Sequence, residues 1–151
     1  MKHSAVQTSI QLMTSAIAIS LIIWLISFAV SMAGAHIMVA WWGAFVASGF
    51  VSMNLVMATM LVFIETNRFD RKKGASLLKG AALKLGILLI FAGSAVALYL
   101  SWSDFLPPDM YGSISYAILG LVSGLGVGLL VLRLLVLAAE RESNKKPATN
   151  N

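Results

Sequence analysis

Residues 68–84 read RFDRKKGASLLKGAALK, and this stretch decides the fold. It holds Arg68, Arg71, Lys72, Lys73, Lys79 and Lys84, more than half of the eleven Lys and Arg residues of the chain. Long apolar runs with almost no charge flank it on both sides. Cations collect at the cytoplasmic ends of membrane spans, so a basic segment between two apolar runs marks a chain that crosses a bilayer.

Composition agrees. The 151 residues are 59% hydrophobic and 11% charged, whereas soluble domains carry about 25% charged residues. So few charges cannot cover the surface of a soluble domain of this size, and an integral membrane protein is expected. The absence of cysteine rules out disulfides, thiolate metal sites and a cysteine nucleophile. A net charge of +5 would suggest nucleic acid in a soluble protein. Here the cations lie beside apolar spans, so anionic lipid head groups are the expected partner and nucleic acid is not.

A helix needs about 20 residues to cross the hydrocarbon. Four runs qualify, at about 10–32, 37–64, 81–100 and 116–139. The expected fold is an all-α integral membrane bundle of four transmembrane helices, built as two antiparallel hairpins over residues 1–139. A polar cytoplasmic tail follows at 140–151. The first two spans are joined by only Ala33-Gly34-Ala35-His36. Asp104, Pro107, Pro108, Asp109 and Gly112 read as the turn between the last two, since proline stops a helix. Arg68 to Gly74 reads as a solvated loop.

Four spans put Lys2, the 68–84 group, Arg141, Lys145 and Lys146 on one side. The other side carries Asp104 and Asp109. The positive-inside rule then places both termini in the cytoplasm of a bacterial inner membrane. Trp41, Trp42, Tyr99, Trp102, Tyr111 and Tyr116 fall near outer span ends, where an aromatic belt is expected.

Gly120, Gly124 and Gly128 share one helix face, a Gly-x-x-x-Gly pattern that lets backbones approach closely. It serves packing within the bundle or contact with another chain. Ala40, Ala44, Ser48 and Ser52 form a related stripe on the second helix. Asn54, with Ser52 and Thr59 nearby, is the most polar side chain at mid-span. It reads as an interhelical hydrogen bond or as an ion or substrate contact. Arg133 and Lys84 lie inside the ends of their spans. Both can snorkel to the head groups, and either can hold a lipid or partner anion. Ser48-Gly49 and Ser123-Gly124 lie 75 positions apart, as do Glu65 and Glu140, which fits two parallel hairpin units, though the match is sparse enough to be coincidence.

No Asp or Glu lies inside a span, His3 and His36 are far apart, and no nucleophile is paired with a base. A proton-carrying rotor subunit is therefore excluded, and neither an enzyme, a cofactor nor a metal site is expected.

The middle of the chain, residues 40–100, resembles ATP synthase subunit I. The likeness rests on Trp42-Gly43-Ala44 before a small-residue helix with Asn54, a basic loop, and then Gly80-Ala81-Ala82-Leu83-Lys84-Leu85. That family carries Gly-Glu-x-x-Lys at this point. Gly80 and Lys84 match it, and Ala81 stands where the acidic residue would be. The resemblance implies a role in assembling the rotor ring of c subunits, with a part in magnesium or calcium supply. Asn54, Gly80 and Lys84 would be the matching positions.

Three functions fit these features. The first is an accessory or assembly protein that contacts a membrane partner or forms a homo-oligomer. The second is an oligomeric channel, transporter or holin-like pore-former lined by Asn54, Ser52 and Thr59. The third is a scaffold whose basic segment recruits anionic lipid. Ala33-Gly34-Ala35 has the form of a signal-peptidase site, but the apolar run before it exceeds the usual length of about 7–15 residues. The purified protein is expected to keep the full mass of 16.1 kDa. A shorter species beginning near His36 in an intact-mass spectrum would show cleavage instead.

Overall fold

A computed structural model describes residues 4–65, 71–102 and 110–145. They form four helices: α1 (Ala5–Met32), α2 (Met38–Glu65), α3 (Arg71–Trp102) and α4 (Met110–Lys145). Each is long and apolar enough to cross a membrane. The turn at Asp104, Pro107, Pro108 and Asp109, the residues Arg68 and Asp70, and the end of the tail lie outside the described residues.

The helices begin and end where local chemistry allows. Ser4 caps α1 by accepting a hydrogen bond from the Gln7 N–H at 3.2 Å, satisfying one of the free donors of the first turn. α1 gives way to α2 through Gly34, whose φ of 110° favours glycine. His36 Nδ1 then accepts from the Met38 N–H at 3.3 Å and opens α2.

Two elements are longer than the sequence implied. Arg71, Lys72, Lys73 and Gly74, expected in a loop, are the first residues of α3. Apolar hydropathy locates the part of a helix inside the bilayer, and this helix continues past it into a polar segment. At the other end Gly112, expected in a turn, lies within α4. A side chain there would collide with the indole of Trp41, so the bare backbone lets α2 lie against the start of α4.

The spatial order of the helices is α1–α2–α4–α3, with extensive contact only between neighbours in that row among the described residues. α1 and α2 are antiparallel: Ser9 reaches Ala58, Ser20 reaches Ala47, and Ser27 abuts Gly43. α3 and α4 are antiparallel as well, with Gly86 beside Gly126, Gly93 beside Ser123 and Ala97 beside Tyr116. Between the hairpins, α2 and α4 run parallel.

Their register is informative. Trp41 meets Tyr116, Phe45 meets Gly120, and Gly49 meets Gly124. Each pair is 75 positions apart (116 minus 41, for instance). When two parallel helices touch through equivalent positions, the relation between them is a two-fold axis running along the helices. α2 and α4 are therefore related in this way over their contact, and the 75-residue spacing seen in the sequence is its register. α1 and α3 are not, because α3 turns Ala82, Gly86, Gly93 and Ala97 to α4 while Lys84, Phe91 and Trp102, 75 positions after Ser9, Ala16 and Ser27, are exposed.

Aromatic side chains divide differently from expectation. Tyr116 is fully buried and Trp41 is 5% exposed, so these two form core and not an outer belt. Their rings lie 5.6 Å apart, and Trp42 meets Tyr116 edge-on at 5.5 Å. Tyr99 and Trp102 are exposed, as a belt would require.

The α2–α4 contact yields a direct test. A methyl group at Gly124 would overlap the Gly49 carbonyl and the Ser52 hydroxyl, whereas at Gly80 it would meet nothing within 4 Å. Gly124→Ala is expected to lower stability by about 1–3 kcal/mol, as overpacking does. Gly80→Ala should be neutral or slightly stabilising, by up to about 1 kcal/mol, from helix propensity. Thermal unfolding in detergent compares the two. Equal midpoints would refute the close approach.

Candidate functional site

The polar and bare positions of this chain are used mainly to join helices. Lipid tails are as apolar as leucine, so helices in a bilayer associate through close packing and interhelical hydrogen bonds. Three seams result.

In the α1–α2 seam, the hydroxyl of Ser9 donates to the Ala58 carbonyl at 3.0 Å, and that of Ser20 to the Ala47 carbonyl at 2.8 Å. Alanine leaves those carbonyls reachable from the next helix. Ser9, Ala16 and Ser20 are the buried positions of α1, and Ser27 continues the same stripe against Gly43.

In the α2–α4 seam, the glycine face lies against the small-residue stripe. Gly120 abuts Phe45 and Ser48, and Gly124 abuts Gly49 and Ser52. A methyl group at Gly128 would sit 2.9 Å from Val56 Cβ. These three glycines are therefore spent inside the chain. Ala44 faces a different neighbourhood, a groove of about 640 Å³ between α1 and α4 whose walls include Trp24, Phe28 and Ile114.

In the α3–α4 seam, a methyl group at Gly126 would approach the Gly86 carbonyl to 2.6 Å. The Tyr116 phenol donates to the Ala97 carbonyl at 2.7 Å and pairs with the Ser101 hydroxyl. This buried phenol fastens one end of the seam.

The remaining sequence candidates are scattered. Asn54 is buried, and its amide donates to the Phe50 carbonyl of its own helix at 2.8 Å. The bond is thus within α2 and not between helices. Asn54 belongs to the side of α2 that carries Gly43, Ala47 and Ala58, toward α1. Ser52 lies about 200° away around the helix, against α4. Thr59 is exposed and bonds to the Leu55 carbonyl. Asn54, Ser52 and Thr59 therefore line no common surface. Gly80 and Lys84 are exposed. Arg133 is half-buried, and its Nε is buried without a hydrogen-bond partner. Trp41 Nε1 and Ser123 Oγ are the other buried side-chain atoms without partners among the described residues.

Sequence reasoning passed over the serine stripe of α1 and the Ala82, Gly86, Gly93 and Ala97 stripe of α3. Both carry small residues at alternating spacings of four and seven, the signature of a helix seam, and that signal was available. The role of Tyr116 had no local signal, because a tyrosine near a span end also suits a belt.

No protein family, curated protein or solved structure matches the chain. The chain is a small multi-pass membrane protein by its four apolar helices. Its finer role rests on the chemistry of its surfaces.

Interhelical serine bonds in membranes contribute about 0.6 kcal/mol each. Ser9→Ala and Ser20→Ala are therefore each expected to lower stability by about that amount, and the double variant by about the sum. Ser15→Ala, at an exposed position of α1, should change nothing. Unfolding in mixed micelles would measure the series, and a null result for the double variant would remove the serines from the seam.

Proposed function

We propose that this protein is a non-enzymatic accessory or assembly protein of a membrane complex, acting through its helix faces. The carrying observation is how its small residues are used. The α2–α4 seam is closed by glycine against backbone. A parallel pair of repeats with a transport role would keep its site at the repeat interface near mid-membrane. Here that place is filled. The outward faces, by contrast, are broad and apolar: on α1, Ile22, Leu25 and Ile26 are more than half exposed.

The reading includes a bacterial inner-membrane location with both termini in the cytoplasm, from the distribution of cations. The F-type ATP synthase rotor ring is the complex we put forward, on the resemblance at Gly80 and Lys84 stated above. Neither residue is engaged in packing, since both are exposed, which leaves them open to a partner. An oligomeric pore gains less support, because Ser52, Asn54 and Thr59 do not share a face.

The experiment is affinity capture of the full chain from membranes solubilised in a mild detergent, with ring-forming c subunit assayed by immunoblot. Co-purification of c subunit, lost when Leu25→Arg charges the exposed face of α1, is the expected outcome. Recovery of the chain without c subunit, together with normal ring assembly in cells lacking it, would overturn the assignment. Ion flux in liposomes would favour the pore instead.

A further inference from the structure

α3 is longer than the membrane requires. It is one unbroken helix of 32 residues, Arg71–Trp102, and it contains no proline to kink it. At helical rise it is about 48 Å long, against about 30 Å of hydrocarbon. Exposed Tyr99 and Trp102 stand at one boundary, as aromatic belt residues do. About 20 residues from Trp102 bring the helix to the other boundary, near Ala82. The first turn, with Arg71, Lys72 and Lys73, then stands about 13–16 Å past the hydrocarbon. The head-group layer on each side is only about 5–8 Å deep.

Two other helices end on this side. α4 is antiparallel to α3 and α2 is parallel to α4, so Glu140 to Lys145 and Glu65 lie there as well. The three helix ends carry six cations, Arg71, Lys72, Lys73, Lys79, Arg141 and Lys145. They carry three carboxylates, Glu65, Glu140 and Glu142. Six minus three leaves three positive charges, however pairs form within the chain.

Height decides what kind of anion meets that surplus. A loop would lay these cations on the lipid surface. A helix that continues out of the membrane lifts its first turn away from it. Lipid phosphates then lie about one screening length below, about 8–10 Å near physiological salt. An acidic protein segment above the membrane meets the cations directly.

We propose that the projecting start of α3 docks an acidic segment of a partner protein, outside the bilayer. Charge complementarity selects the partner and steers its approach, while the helix holds the cations at a fixed height. The proposal rests on the reading of this chain as a partner-binding protein and adds the chemistry of a second contact. It fails separately from capture of c subunit through the α1 face, since the two contacts use different helices.

The test uses the full chain in phosphatidylcholine nanodiscs and a labelled ten-residue polyglutamate peptide, with binding read by fluorescence anisotropy. The peptide should bind, and binding should weaken as salt rises. Arg71→Gln, Lys72→Gln and Lys73→Gln together should weaken it at least about ten-fold, the combined scale of three exposed charge contacts. The unfolding midpoint should stay unchanged. Lys84→Gln, within the span, should leave binding within about two-fold of wild type. If the triple variant fails to fold, Lys72→Gln and Lys73→Gln made singly decide the matter, each weakening binding by about two- to three-fold. Discs containing phosphatidylglycerol should keep measurable binding, because the first turn stands clear of the lipid. Absence of binding in phosphatidylcholine discs, or equal binding by the variants at positions 71–73, would overturn the proposal. So would abolition of binding in phosphatidylglycerol discs, which would make anionic lipid the occupant.

Discussion

The close approach of α2 and α4 at Gly49 and Gly124 is the contact on which the rest of the structure depends. In water the hydrophobic effect would drive such a pair together. In a bilayer it does not, because each helix is equally well solvated by lipid. What remains is dispersion and weak polar contact, and both require backbones to come near. Gly120, Gly124 and Gly128 on one side, with Gly49, Ser48 and Ser52 on the other, remove the side chains that would hold them apart. Because equivalent positions meet, this contact also fixes the register of one hairpin against the other. α1 and α3 then take places at opposite ends of the row, each leaning on its own partner.

Once the centre is fixed, polar chemistry decides how each hairpin closes. The first uses serine hydroxyls on alanine carbonyls at two depths, Ser9 with Ala58 and Ser20 with Ala47. The second uses one phenol, Tyr116, at one end and close glycine contact at Gly86 and Gly126 further along.

Much of this was legible along the chain, and the reasons are physical. Spans of about 20 apolar residues have few alternatives to helix, since every backbone group must bond internally in hydrocarbon. Composition and cation placement therefore sufficed for class and helix number. Helix ends were less legible. Arg71 to Gly74 continue α3 and Gly112 belongs to α4, because helices extend beyond the apolar stretch that hydropathy detects. Asn54 drew notice as a polar group at depth, yet it satisfies its amide on Phe50 within its own turn. Polarity announces a need for a partner without saying on which helix the partner lies.

The sequence alone determined that four helices cross a membrane as two hairpins, since length and apolarity constrain each segment independently of its neighbours. It also displayed the bare faces and the 75-residue spacing, without assigning them. Only the tertiary structure decided that α2 and α4 lie at the centre and that the spacing is a contact register. It also decided that Trp41 and Tyr116 are core and that Asn54 and Ser52 face different helices. Those facts depend on which face meets which, a choice among several apolar surfaces of nearly equal hydropathy. In lipid that choice is made by the fit of small residues and a few hydrogen bonds, which no single helix carries by itself.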